Sequence, residues 1–149
     1  MLEDEVEMLR QVPIFAKINP TKLKLLAFAS ERKRYGAGQD VFRQGDLGDA
    51  AYVLLSGTAE ILVASPDGEI KVAEVGPHSI VGEIAVLCGG ARTASVRATT
   101  PVEVLRITKE HFLGLVNDFP EIALEIMRGL AARLSQTTAE LTAARATNR

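Results

Sequence analysis

Two residues of opposite charge, Glu83 and Arg92, stand at a spacing that could do chemistry. They lie in the stretch from Gly76 to Ala98, G-P-H-S-I-V-G-E-I-A-V-L-C-G-G-A-R-T-A-S-V-R-A. Gly76-Pro77 punctuates the chain. The segment from Gly82 to Leu87 reads as a short helical turn, closed by the Gly89-Gly90 pair, and Arg92 to Ala98 starts a strand. A helix start offers free backbone N–H groups and the positive end of a dipole, so it attracts an anion. Arg92 follows the glycines where the chain can double back to that helix start, adding a fixed charge with bidentate geometry. Glu83 at the same place would repel a bare phosphate. It makes sense if the ligand carries hydroxyl donors beside its anionic group, as a sugar phosphate does. Taken singly, Glu83 reads as a self-capping helix residue and Arg92 as a solvated strand-end charge. Their joint spacing between glycines favours the ligand site.

The pattern G-E-[I/L]-A-x-L, a glycine turn, then R-[T/S/A]-A-x-V-x-A resembles the phosphate-binding cassette of the cyclic nucleotide-binding domain family. The resemblance implies that Arg92 holds a cyclic phosphate and that Glu83, with the backbone at Gly82, holds the ribose 2′-hydroxyl. It further implies an anion site completed by backbone N–H groups at Ile84 and Ala85, with Thr93 and Ala94 beside the nucleotide. Val81 stands where an aromatic is common and Ala91 where a proline is common; neither change removes a ligand group. Gly45-Asp46 and Gly57 match further landmarks, and the likeness covers about Phe15 to Leu141. The implied ligand is cyclic AMP or cyclic GMP, with no further cofactor and no metal.

The elements that must position these residues follow from punctuation and periodicity. Leu2 to Gln11 reads as a short amphipathic helix, and Val12-Pro13-Ile14-Phe15 breaks it. Asn19 can cap the next helix with Pro20 at its first position, and Leu23, Leu26 and Ala27 form its buried face. From Arg32 to Thr108, glycines recur between β-rich apolar runs, as expected of many short antiparallel strands. Ala59, Ile61 and Val63 share one face of a strand, and Ser65-Pro66-Asp67-Gly68 is a hairpin turn. The returning strand puts Ile70, Val72 and Glu74 on one face. Thr108 caps a helix reaching about Val116, with Phe112 and Leu115 inward. A long helix then runs from Pro120 toward Ala144, with Ile122, Ile126, Leu130 and Leu134 as a continuous stripe.

The expected fold is mainly β with flanking helices: an antiparallel β-roll or jelly roll, an N-terminal helical segment, a short cassette helix and a long C-terminal helix. One domain is expected over 1–149, with helices over 1–29, the roll over 30–108 and helices over 109–146. The chain has 149 residues, 47% of them hydrophobic, which suits a single core. A net charge of −2 gives no bulk drive toward nucleic acid or anionic membranes. No apolar run is long enough to span a bilayer, and no signal peptide opens the chain. The single cysteine, Cys88, excludes an internal disulfide and reads as a small packing residue; a cytoplasmic location is the expectation.

Catalytic constellations are missing. The two histidines, His78 and His111, lie far apart and do not form the ligand set of a metal-dependent cupin, the main enzyme on a jelly roll. There is no phosphate-binding G-x-x-x-x-G-K-[ST] loop and no G-x-S-x-G elbow. After Leu141 no recognition helix is expected, hence no DNA binding by this chain alone. The leading expectation is a non-enzymatic sensor of a cyclic purine nucleotide with the C-terminal helix as lid or dimer element. A cupin-like metal enzyme and a ligand-free interaction domain on the same roll are the alternatives. Thr137 and Thr138 sit where the catabolite activator type of domain places a hydroxyl pair against the adenine, which implies base contact and a homodimer through this helix. Solvated surface threonines are the competing reading, and an unknown regulated partner is the competing use of the helix.

Overall fold

The computed structural model describes residues 2–147; Met1, Asn148 and Arg149 lie outside the described residues. The chain opens with α1 (Leu2–Arg10), a single 3-10 turn (Pro13–Phe15) and α2 (Pro20–Ala29). Asn19 caps α2 through its side chain, which accepts a 2.8 Å hydrogen bond from the Thr21 N–H, and Pro20 occupies the first turn where its missing donor is harmless. Eight strands follow: β1 (Glu31–Tyr35), β2 (Asp40–Phe42), β3 (Ala50–Ser56), β4 (Ala59–Ser65), β5 (Gly68–Val75), β6 (Ile80–Val81), β7 (Ser95–Ala98) and β8 (Val102–Thr108). The short helix α3 (Glu83–Cys88) sits between β6 and β7, and α4 (Lys109–Asp118) and α5 (Glu121–Thr147) close the chain.

The strands form two four-stranded antiparallel sheets, β1-β8-β3-β6 and β2-β7-β4-β5. This is the expected β-roll with flanking helices. Strand β3 explains why the roll and the helices form one body. Its run Ala50-Ala51-Tyr52-Val53-Leu54-Leu55 is apolar without interruption because both faces are buried. Ala50, Tyr52 and Leu54 point into the roll with Val41, Val96, Ala98 and Val104. Ala51, Val53 and Leu55 point the other way, onto Leu9, Phe15, Leu23, Phe112 and Ile122 of the helical layer. Each large aliphatic side chain buried this way contributes about 1.5–3 kcal/mol.

Four expectations change. Strand β4 shifts register between Ile61 and Leu62, so Leu62 is buried where strict alternation would bury Val63. Strand β5 is an edge strand exposed almost throughout, and only Val75 packs against the roll core. Cys88 is exposed at the end of α3 and is no packing residue. The stripe on α5 is covered over half its length: Ile122 and Ile126 are buried, whereas Leu130 and Leu134 are exposed.

Candidate functional site

The helix α3 begins at Gly82, whose φ of 82° lies in the left-handed region and turns the chain sharply out of β6. A Cβ built on Gly82 would stand 2.5 Å from Arg92 Nη1, so the glycine is needed for close approach as well as for the turn. The helix ends at Gly89, again left-handed, whose N–H donates to the Ala85 carbonyl. The chain then doubles back beside the loop after β2: the Arg92 N–H donates to the Asp46 carbonyl at 2.7 Å and the Gly45 N–H to the Arg92 carbonyl at 2.9 Å. The turn that spacing suggested is thus locked to a segment more than forty residues earlier.

Arg92 is only 3% exposed. Its Nη1 donates to the Gly82 carbonyl at 2.7 Å and its Nη2 to the Ala50 carbonyl at 2.6 Å. The guanidinium lies over the Phe42 ring, 4.1 Å from the centroid, and Asp49 stands 3.7 Å away. Its Nε is buried without a hydrogen-bond partner. Burial pulls the Arg92 pKa down, against the opposing fields of Tyr52, Asp49, Asp46 and Glu83. A buried cation held by its terminal nitrogens, with one N–H unsatisfied, is a preformed donor for an anion.

Glu83 is 6% exposed. Burial pushes its pKa up, opposed by a hydrogen bond from its own backbone N–H and by the charges of Arg133 and Arg92. Together the two residues line a cavity of about 150 Å³, whose walls include Gly82, Ile84, Ala85, Thr93 and Ala94. All seven cassette residues named from the sequence therefore meet in one place. Phe42, Ile61, Val75 and Val96 supply an apolar wall opposite them. A larger crevice of about 700 Å³ runs between the roll, the 3-10 turn and α5, sharing Val75, Ile80, Glu83 and Arg133 with the first cavity.

Three contributors were not assigned from the sequence: Phe42, Asp49 and Arg133. Arg133 is exposed on α5 and is the helix's contribution to the first cavity. Asp49 joins Arg92 to Arg106, 3.0 Å away, on β8. Thr137 and Thr138 are exposed and do not line the cavity; Thr137 lies one turn beyond Arg133 on the same side of α5. Among the described residues no three His, Cys, Asp or Glu side chains group as a metal site, and no helix is long and apolar enough to cross a membrane.

Comparison with known proteins agrees with this geometry. The profile of the cyclic nucleotide-binding domain matches residues 32–119. The chain is similar to a cyclic AMP receptor protein of Thermus thermophilus, 32% identical over 130 residues, covering 87% of this chain and 60% of the relative. It is also 34% identical over 137 residues to an uncharacterized NTE family protein of Mycobacterium bovis, covering 92% of this chain but 23% of that protein. Among solved structures, the crystal structure of the Thermus thermophilus catabolite activator protein superposes with a TM-score of 0.77 at 33% identity, over 87% of this chain and 61% of the other. The chain thus spans part of each relative's length. It belongs to the cyclic nucleotide-binding domain family.

Proposed function

We propose that the chain binds a cyclic purine nucleotide, cyclic AMP or cyclic GMP, as a non-enzymatic sensor module within a regulatory system. The observation that carries this reading is Arg92: a buried guanidinium in the cavity wall, anchored on two carbonyls and an aromatic ring, with its Nε buried and unsatisfied. The cyclic phosphate takes the Nε–H of Arg92 and the N–H groups at Ile84 and Ala85 in the first turn of α3, which has no intrahelical partners of its own. The ribose 2′-hydroxyl donates to Glu83, whose burial makes a new donor especially favourable. Thr93 and Ala94 flank the sugar phosphate, and the base lies against Ile61 and Val75 toward α5.

The helix α5 is the reporting element. Arg133 brings it to the ligand, and its uncovered side chains Leu130 and Leu134 offer a seam for a second copy or a regulated partner. In a homodimer through that seam, Thr137 and Thr138 reach the base. Isothermal calorimetry with both nucleotides tests the reading: binding in the micromolar range or tighter, lost in Arg92→Ala, is expected, and equal affinity in wild type and Arg92→Ala contradicts it.

A further inference from the structure

The cassette cavity is too small for the whole of the proposed ligand. It holds about 150 Å³, whereas pockets that take small organic ligands run to about 300–1,000 Å³. The adjoining crevice of about 700 Å³ shares Val75, Ile80, Glu83 and Arg133 with it, so a purine leaving the ribose at Glu83 finds continuous space there. Val12, Ile14 and Ile126 line that crevice and suit the face of a flat ring.

His78, in the loop between β5 and β6, also lines the crevice and has two unusual features. Its φ is 71°, and it is the one non-glycine residue with a left-handed backbone among the described residues. Glycine would adopt this conformation without penalty, whereas a Cβ disfavours it. The loop is nevertheless clamped to the roll: the His78 N–H donates to the Leu54 carbonyl at 2.9 Å, and the Leu54 N–H donates to the Ser79 carbonyl at 2.9 Å. The second feature is the side chain, whose Nδ1 is buried without a hydrogen-bond partner. Glu125 and Arg128 of the same crevice, by contrast, pair with each other at 2.8 Å. A costly backbone that places an unsatisfied polar side chain in a crevice is the pattern of a ligand contact rather than of a simple turn.

We infer that the purine lies in this crevice and that His78 contacts its edge, which deepens the sensor reading and rests on it. A neutral imidazole carries one donor and one acceptor nitrogen. Purine edges offer acceptor ring nitrogens beside an amino or carbonyl group, so the two are complementary. The torsion about the histidine Cβ–Cγ bond is soft, which lets the buried nitrogen turn toward an arriving base. The phosphate stays at Arg92 and the ribose at Glu83, so His78 touches the base alone.

Nuclear magnetic resonance of the imidazole rings tests this together with calorimetry. The chain has two histidines, and His111, engaged with the Thr108 hydroxyl at the start of α4, is the internal reference. Saturating cyclic AMP or cyclic GMP, whichever binds more tightly, should shift the His78 ring signals and leave those of His111 in place. The base-free methyl riboside 3′,5′-cyclic phosphate, at millimolar concentration, should leave His78 unmoved. His78→Gly relieves the left-handed backbone, so it should melt no lower than wild type yet bind the nucleotide about tenfold more weakly. His78 signals unmoved by bound nucleotide, or moved equally by the base-free compound, overturn the inference. So does wild-type affinity in folded His78→Gly. Each of those results leaves the sensor reading standing, because wild type still binds the nucleotide; a wild type that binds neither nucleotide overturns the sensor reading and this inference with it.

Discussion

Arg92 and Glu83 are buried charges whose environments make opposite predictions for stability. Arg92 serves the fold itself besides its proposed ligand role, since it donates to the carbonyls of Gly82 and Ala50. Arg92→Ala should therefore lower unfolding stability by about 1–3 kcal/mol besides weakening nucleotide binding by roughly 10–100-fold. Arg92→Lys keeps the charge but cannot span both carbonyls and the phosphate, so its affinity should fall in the same direction. Glu83 behaves the other way. Its carboxyl is held above its ordinary pKa by burial, so the charged form destabilises the folded chain. Stability contributed at this position is greatest at low pH and falls as pH rises from the ordinary carboxylate value through the raised folded one. Glu83→Gln should accordingly raise the melting temperature near neutral pH, with the gain vanishing below the ordinary carboxylate value, while binding of the ribose ligand weakens. A thermal melt at several pH values checks the first half. Comparing Glu83→Ala against 2′-deoxy nucleotides checks the second: the variant should lose affinity for the ribose form far more than for the deoxy form.

At the scale of elements, α3 and its flanking glycines set the geometry of the site, and α5 is the element proposed to carry the response. Gly82→Ala should disturb both the turn and Arg92, because the new methyl meets Nη1 and the left-handed backbone disfavours a Cβ by roughly 1–2 kcal/mol. Loss of nucleotide binding in a folded Gly82→Ala protein is the expected result of calorimetry. For α5, hydrogen exchange from Leu130 to Leu141 should slow on nucleotide binding, and the double change Thr137→Ala/Thr138→Ala should reduce affinity if the dimer brings these threonines to the base. The cassette was legible in the sequence because its partners lie within ten residues and need only a turn and a strand to meet. Phe42 and Asp49 were not legible. They arrive through the β2–β7 pairing and the bridge between Leu47 and Ala91, which no local pattern announces. Arg133 reads as an ordinary exposed helix charge until α5 is placed over the cavity. The alternation expected along β4 failed at a bulge, which periodicity does not encode. The stripe on α5 was visible as a period of four, but periodicity does not tell what covers it, and beyond Ile126 its leucines stay exposed.

The whole molecule is a roll with an apolar interior, a helical layer on one sheet, and one long helix whose buried core side chains among the described residues, Ile122 and Ile126, lie at its base. A ligand that bridges the cassette on the roll and Arg133 on α5 has differential contacts with open and closed placements of the helix, which is what a population shift requires. Whole-chain assembly should report the same coupling: Leu134→Glu should weaken self-association through α5 and, if the pairing completes the base site, lower nucleotide affinity by roughly tenfold. All of this rests on one binding event. Micromolar affinity needs about 8 kcal/mol, more than Arg92 and Glu83 can supply as single charge-assisted bonds of about 1.5–3 kcal/mol each, so burial of the base must provide the remainder. Calorimetric titration of wild type and Arg92→Ala with cyclic AMP and cyclic GMP is therefore the most direct measurement. The account predicts micromolar or tighter binding of at least one nucleotide by wild type and a loss of roughly 10–100-fold in the variant; no binding by wild type, or equal affinity in both proteins, would contradict it.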